Sequence, residues 1–430
     1  MTNLAGNMSI NTERLWQDIV DLADITEPDR PFTRRSFTDL FLTGQEWIAQ
    51  RMKDAGLSVR RDAATNLIAR IEGTDPNLPP IVIGSHSDTV PSGGRFDGIL
   101  GVLAGIEVVR SLQERGLTTR HPVEIVDFLA EEPSEYGLSC VGSRAMVGML
   151  DAQLLALTDQ SGESIEQAIT RIGGAPKDLD SCHRSDIAAY LELHIEQGRV
   201  LESAELNVGL VTGIVGIRRF EIVFEGAADH AGATPFELRK DALVAAAETV
   251  VAARRMGEEL AQRDEGYFIA TTGVIDNSPN AANVVPGNVR IVVEARAEKV
   301  DLLKEFMQAL DVTSASAAKT ARVDRTAFNW LSDSYPALSD AGLLGHLADA
   351  ATNLGLKTTH MASGAGHDAA FIAKIAPMAM VFVPSRDGLS HCAEEWTAPK
   401  QCADGAAILL ETLLSVDADP VFDAPRTMEL

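Results

Sequence analysis

The 430-residue sequence lacks any apolar run of the roughly 18–20 residues that a membrane-spanning helix requires, so we expect no membrane segment. Its first eleven residues contain neither a basic segment nor an apolar core, which argues against a secretory signal peptide. Only four cysteines are present, and none is spaced as CxxC. This pattern predicts reduced thiols and a cytoplasmic protein.

Basic residues are also scarce, because 37 Lys and Arg stand against 62 Asp and Glu and give a net charge of −25. Such a chain repels nucleic acid and anionic membrane at long range. The arginine doublets at 34–35, 218–219 and 254–255 are isolated and carry no interleaved aromatics, so we expect no nucleic-acid partner. The excess carboxylates are compatible with a metal site, but composition alone fits a solvated acidic surface equally well.

The sequence does contain short apolar runs that end in polar clusters and alternate with helical patterns. Residues 81–83 lead into Gly-Ser-His, residues 123–129 lead into Ala-Glu-Glu, and residues 100–112 have helical spacing. This alternation predicts an α/β catalytic domain with a central sheet flanked by helices. Ligands of such sheets bind beyond the carboxyl ends of the strands, where these polar clusters lie.

The pattern changes near residue 213. Residues 214–224 alternate as a half-exposed strand does, residues 241–256 form an amphipathic helical pattern, and two more strands and a helix follow. We therefore predict an inserted α+β domain over 213–327, between catalytic segments 1–212 and 328–430.

Histidines and carboxylates follow several of the predicted strands. They are His86, Asp97, Glu131, Glu132, His194 and His391. Asp88 is placed to accept the second N–H of the His86 ring, as an outer partner of a metal-bound imidazole does. Nitrogen and oxygen donors without thiolate favour zinc, with manganese, cobalt or nickel as substitutes. Each cluster alone also fits a turn or a solvated surface.

Seven stretches in order extend the pattern over nearly the whole chain: GSHSDTVPSGGRFDGILGVLAG, AEEPSEYGLSCVGSRA, LELHIEQG, DHAGATPF, NAANVVPGNVRIVVEAR, SGAGHDAAF and SHCAEE. Together they resemble the M20-type zinc amidohydrolases, in the branch of allantoate amidohydrolase, N-carbamoyl-L-amino-acid hydrolase and β-ureidopropionase. The sequence contains neither HExxH nor GxSxG, which disfavours thermolysin-like and serine-hydrolase chemistry.

The resemblance implies a dinuclear site with two divalent ions per subunit, most simply zinc. Its ligands would be His86, Asp97, Glu132, His194 and His391. Asp97 would bridge the two ions, and Glu131 would be the general base. The implied reaction is hydrolysis of the linear amide of an N-carbamoyl or ureido acid.

The resemblance also implies substrate contacts from the insert, which would act as a lid and dimerisation domain. His230 would act on the oxyanion together with Asn283, and Arg296 would bind the substrate carboxylate. Gln197 and His367 would line the substrate pocket. In a homodimer, residues of the insert would complete the site of the partner subunit.

Three positions depart from the pattern of the branch: Pro133, Ile217 and Glu294. None is a predicted ligand, so they leave the chemistry standing and bear on the substrate. An N-acyl-amino-acid deacylase or metallopeptidase of the same superfamily is an alternative, as is a catalytically inactive binding protein on this fold.

Overall fold

The computed structural model describes residues 10–263 and 265–426, which belong to two compact units. The larger unit comprises Met1–Thr212, Leu338–Met361 and His367–Leu430, and the insert unit comprises Gly213–Ala337 and Ala362–Gly366. The first segment of the insert unit extends to Ala337. The reason is a strand at Asp324–Asp333, which pairs with a strand of the insert along its length.

Thirteen strands are present in the described part of the chain. In chain order they are β1 (Ser58–Arg61), β2 (Leu67–Ile71), β3 (Ile81–His86), β4 (Val123–Phe128), β5 (Ala189–Ile195), β6 (Val208–Ile214), β7 (Gly216–Glu225), β8 (Phe268–Ser278), β9 (Asn288–Ala297), β10 (Asp324–Asp333), β11 (Ala337–Leu338), β12 (Thr358–Ser363) and β13 (Met378–Val383).

Twelve α-helices accompany these strands in the described residues. They are α1 (Thr12–Ala23), α2 (Asp39–Asp54), α3 (Ile99–Glu114), α4 (Val141–Met146), α5 (Ala152–Leu155), α6 (Ile165–Arg171), α7 (Val200–Ser203), α8 (Ala242–Ala261), α9 (Val300–Ala321), α10 (Ala341–Asn353), α11 (Ala369–Ile372) and α12 (Pro399–Asp417). No described helix is long and apolar enough to cross a membrane.

The large sheet has the strand order β1-β2-β4-β3-β5-β13-β6-β11, with β12 paired to β6. Its centre is parallel, since β3 pairs with β4 and β5, and β5 pairs with β13. Every residue of these four strands is buried, as expected for parallel strands covered on both faces. The predicted α/β architecture with a helix-flanked central sheet is therefore confirmed.

The insert unit contains an antiparallel sheet with the order β10-β7-β9-β8. Burial alternates along β7 and β9, so that one face of each strand joins an apolar cluster with α8 and α9. The cluster contains Phe220, Phe224 and Val293 from the strands and Phe306 from α9. The opposite face of the sheet presents the polar alternation and is the face that carries the predicted substrate arginine.

Candidate functional site

The parallel centre of the large sheet gathers the predicted metal ligands at one edge. His86 ends β3, Glu131 and Glu132 follow β4, and His194 lies near the end of β5. His391 follows β13. Because these strands are parallel neighbours, their carboxyl ends meet at the same edge.

Asp97 lies at the centre of this group. Its Oδ1 is 3.1 Å from Nε2 of His194 and 3.6 Å from Nε2 of His86, whereas its Oδ2 is 3.3 Å from Nε2 of His391. The Nε2 atom of His391 is also 3.1 Å from Oε1 of Glu132. Two three-residue groups suitable for a metal therefore share Asp97, with one carboxylate oxygen facing each group. Two nitrogen-and-oxygen sets joined by one carboxylate fit a pair of zinc-like ions.

The electrostatics of these residues favour added positive charge. Burial alone would lower the pKa of His86, but the charge of Glu131 and contacts with Asp88 raise it well above its usual value. The pKa of His391 is raised to about 11 by hydrogen bonds with Asp97 and Glu132. The carboxylates therefore attract more positive charge than neutral imidazoles carry. Divalent ions would provide this charge.

Gly98 is required where the Asp97 loop enters α3. Its φ is +67°, and a Cβ at this position would overlap the imidazole ring of His86. The close approach lets the Gly98 N–H point to Nε2 of His194 at 3.2 Å. A side chain here would displace a predicted ligand.

Asp88 supports the site differently from the expectation. The Nδ1 atom of His86 contacts the backbone oxygen of Asp88 at 3.1 Å, closer than the 3.5 Å to its carboxylate. The carboxylate instead accepts the backbone N–H groups of Glu131 and Glu132 at 3.2 and 3.3 Å. Asp88 therefore links the strand that carries His86 to the turn that carries both glutamates.

Three side chains hold Asp97 in place, of which only Gln197 was singled out from the sequence. Gln197 donates through Nε2 to Asp97 Oδ2 at 2.6 Å, and the Ser390 hydroxyl lies 2.8 Å from the same oxygen. Glu395, which is fully buried, accepts the backbone N–H of Asp97 at 3.2 Å and contacts Ser390 at 3.0 Å. Glu395 is the last residue of the SHCAEE stretch, but no sequence pattern distinguishes it from exposed Glu394.

Glu131 is buried beside the ligands. Burial and the charge of Glu132 raise its pKa well above the usual value, although His86 opposes this shift. Its Oε2 lies 3.6 Å from Nε2 of His86, and its Oε1 lies 3.6 Å from the thiol sulfur of Cys140. Asp97 approaches three histidines, whereas Glu131 approaches His86 alone among the predicted ligands and has a raised pKa. Glu131 is therefore suited to accept a proton from a nucleophilic water.

His367 is buried, and its ring centroid lies 4.5 Å from that of His194. Both residues form a third candidate group with Glu192, a buried carboxylate that accepts hydrogen bonds from Tyr190 and Ser85. His367 thus packs against a predicted ligand, and its direct contact with substrate remains a prediction.

In the insert unit, the structure fixes the direction of the His230 proton. Nδ1 of this exposed side chain accepts the backbone N–H groups of Gly232 and Ala233, both at 3.1 Å. A neutral imidazole that accepts at Nδ1 carries its proton on Nε2. The backbone of exposed Asn283 is paired with the same loop through Ala231. His230 and Asn283 therefore lie together, with an N–H donor directed away from the loop.

Arg296 lies near the other end of β9. Its Nε donates to Glu294 Oε1 at 2.6 Å, and Nη1 donates to the backbone oxygen of Gly364. The strand rises by about 3.4 Å per residue, so roughly 27 Å separates residues 288 and 296. Asn283 and His230 lie beyond residue 288, where β9 begins. The N–H of Gly287, just before β9, is bonded to the backbone oxygen of Ser278 at the end of β8. A small substrate cannot touch His230 and Arg296 of one chain together.

Comparison with known proteins assigns the chain to a family. The family model of peptidase family M20/M25/M40 matches residues 82–415. The chain is 40% identical over 407 residues to the N-carbamoyl-L-amino acid amidohydrolase of Geobacillus stearothermophilus, covering 94% of this chain and 98% of that protein. It is 34% identical over 386 residues to the allantoate amidohydrolase of Bacillus subtilis, covering 90% and 92%.

Among solved structures, the chain is similar to an amidase of the hydantoinase/carbamoylase family from Burkholderia multivorans. The two have a TM-score of 0.90 and 35% sequence identity, over 96% of this chain and all of the other.

Proposed function

Since the chain belongs to peptidase family M20/M25/M40, we propose that it is a metal-dependent amidohydrolase of N-carbamoyl or ureido acids. The observation that carries this proposal is Asp97, whose two oxygens face two separate sets of ligands. The similarity to the Geobacillus and Bacillus enzymes supports a linear, non-peptide amide as the substrate. The four cysteines are free, and we propose a cytoplasmic location for the enzyme.

The proposed ligands are His86, Asp97, Glu132, His194 and His391. When bound there, a pair of zinc ions would supply Lewis acidity and acidify water for attack on the substrate carbonyl. Manganese, cobalt and nickel suit the same donors.

The side chains of the protein supply the remaining steps. Glu131 takes the proton of the attacking water and delivers it to the departing nitrogen. The Nε2–H of His230 and the amide of Asn283 donate to the oxyanion of the tetrahedral intermediate. Arg296 binds the carboxylate of the substrate with the N–H groups that Glu294 and Gly364 do not use.

We further propose a homodimer in which the insert of one subunit completes the active site of the other. His230 and Asn283 would act there on the oxyanion in trans. The separation along β9 means that His230 and Arg296 of one chain cannot bind the same small molecule.

A substrate panel tests the activity. Ammonia release would be measured from N-carbamoyl-L-amino acids, N-carbamoyl-β-alanine and allantoate, and acetate release from N-acetyl-amino acids, with the zinc-loaded chain and with Glu131→Gln. We expect turnover of carbamoyl or ureido acids that the variant lacks. Acetate release alone would indicate a deacylase, and metal binding without any turnover would indicate an inactive binding protein.

Subunit complementation tests the shared site. Chains carrying Glu131→Gln are refolded with chains carrying His230→Ala. With random pairing, about half of the dimers are mixed. If His230 acts in trans, one of the two sites in each mixed dimer is intact. Roughly a quarter of the wild-type activity should return. No recovery, with mixed dimers demonstrated, would contradict the shared site.

A further inference from the structure

The open face of the insert sheet has a cavity next to Arg296. Its volume is about 340 Å³, and it is lined by Tyr267, Ile269, Thr271, Glu294, Arg296 and Gly364. The strand register explains this set, because Thr271 lies opposite Glu294 and Ile269 lies opposite Arg296 on neighbouring strands. The cavity is large enough for the acid end and side chain of a small amino-acid derivative.

The charges lining the cavity are one cation and one anion. Glu294 binds Nε of Arg296 through one carboxylate oxygen and Nε of Arg219 through the other. Burial alone would raise the pKa of Glu294, but the hydrogen bonds from Arg296 and Arg219 lower it instead, so this carboxylate is ionised at neutral pH. Glu294 therefore places a negative charge beside Arg296. Among the described residues, Arg296 provides the only guanidinium that lines the cavity.

Resting on the proposed function, which places the substrate carboxylate on Arg296, we infer that Glu294 restricts this cavity to monocarboxylic acids. A first carboxylate would occupy the remaining N–H groups of Arg296. A second carboxylate would meet Glu294 with no further cation in the lining, and juxtaposed like charges disfavour binding. The methyl groups of Ile269 and the hydroxyls of Tyr267 and Thr271 suit an uncharged side chain.

Two nearly isosteric acids test this inference: N-carbamoyl-L-aspartate and N-carbamoyl-L-asparagine. Their kcat/KM ratio would be measured for the wild type, Glu294→Gln and Glu294→Asp. The wild type should prefer the asparagine derivative, and Glu294→Gln should shift the ratio toward the aspartate derivative by at least tenfold. Glu294→Asp retains the charge and should retain the preference.

Glu221→Gln is the matched control, because Glu221 pairs with Arg290 on the same sheet, at 2.5 Å, outside the cavity. It should leave the ratio within about twofold. Calorimetric binding of both acids to each chain gives the same comparison without turnover. A wild-type preference for the aspartate derivative, or an unchanged ratio in Glu294→Gln, would overturn the inference while leaving the proposed hydrolase intact. Binding and turnover of neither acid would overturn this subsite, and failure on the entire substrate panel would overturn the proposed function itself.

Discussion

The two regions that carry the candidate chemistry handle charge in opposite ways. In the larger unit, the carboxylates are buried at the edge of the sheet, and burial raises the pKa of Asp127 to about 7 and that of Glu131 well above normal. In the insert unit, arginines pair with carboxylates at a partly exposed sheet face, and hydrogen bonds from Arg290 lower the pKa of Glu221. One region is poised to accept cations and protons, and the other already has its charges paired.

This difference suits two tasks. A reaction centre benefits from fixed groups in a low dielectric, where each charge acts strongly and needs no reorganisation. A recognition surface must exchange water for substrate, so exposed His230 and half-exposed Arg296 remain accessible. Substitution of the buried groups in the larger unit should therefore alter proton transfer and metal binding, whereas substitution of Glu294 in the insert should alter the choice of substrate.

The largest effect is expected for Glu131→Gln. The amide keeps the shape of the side chain but cannot accept a proton, so turnover should fall by about 10²–10⁴-fold. Metal content should remain at the wild-type value, measured by atomic emission, because Glu131 is not a proposed ligand. Glu135→Gln, at an exposed position of the same loop, is the control. Loss of the metals, or retention of more than a tenth of the rate, would contradict the assignment.

Arg296→Lys should have the next largest effect. Lysine keeps the charge but loses the fork that binds a carboxylate through two N–H groups. We expect kcat/KM for the acid substrate to fall by an amount equivalent to about 2–4 kcal/mol. Arg290→Lys, on the same strand outside the cavity, should change little. Equal hydrolysis of a neutral amide analogue by the wild type would show that no carboxylate contact exists.

Asp88→Asn should weaken metal binding by roughly 10–100-fold, as loss of an outer partner of a metal ligand does. Each N–H bonds a different oxygen of Asp88, and asparagine replaces one of these oxygens with an NH2 group, so the N–H of Glu131 or that of Glu132 loses its acceptor. Metal affinity would be measured by competition with a chelator. Asp75→Asn is the control, because exposed Asp75 also accepts a backbone N–H, from Asn77 at 3.0 Å. Equal affinity of both variants would remove Asp88 from the support of the site.

The sequence was sufficient to predict the α/β fold, and it singled out the histidines and carboxylates that the structure gathers around Asp97. Short apolar strands that end in His or Glu identify parallel strands, and parallel strands bring their ends together whatever loops separate them. His86 and His391 are 305 positions apart in the chain, yet both approach Asp97. That inference needs only topology and residue type.

The supporting residues could not be predicted in the same way. Glu395 and Glu394 are adjacent and chemically identical, and only the fold shows that the first is buried against Asp97 while the second is exposed. Likewise, the departure at Glu294 was visible in the sequence, but its contacts with two arginines depend on the register of β7 and β9. The pairing of β10 with β7 is long-range as well, so no local pattern indicates that β10 belongs to the sheet of the insert.

The smallest effect concerns the pH dependence of stability and tests whether burial itself, rather than the metal centre, sets the charge of the larger unit. Asp127 is buried in β4, accepts a hydrogen bond from Ser87 at 2.9 Å, and has its pKa raised from 3.8 to about 7, chiefly by burial. Between those values the folded chain holds a proton that the unfolded chain lacks. The stabilisation is complete below pH 3.8 and is lost as the pH rises through 7. Between pH 6 and 8 the loss amounts to about 1.4 kcal/mol.

The Asp127→Asn side chain cannot titrate. The difference in unfolding free energy between the wild type and this variant should therefore change by about 1.4 kcal/mol between pH 6 and 8. The change should disfavour the wild type at pH 8. Urea unfolding at both pH values measures it, and taking the difference between the two chains cancels the titration of groups that do not interact with Asp127. The exposed Asp75→Asn variant should show no such change. If the wild type and Asp127→Asn have parallel pH profiles, Asp127 is ionised in the folded chain across this range. The contrast between a region dominated by burial and a region dominated by ion pairs would then lose Asp127 and rest on Glu131 and the other buried carboxylates whose pKa burial raises.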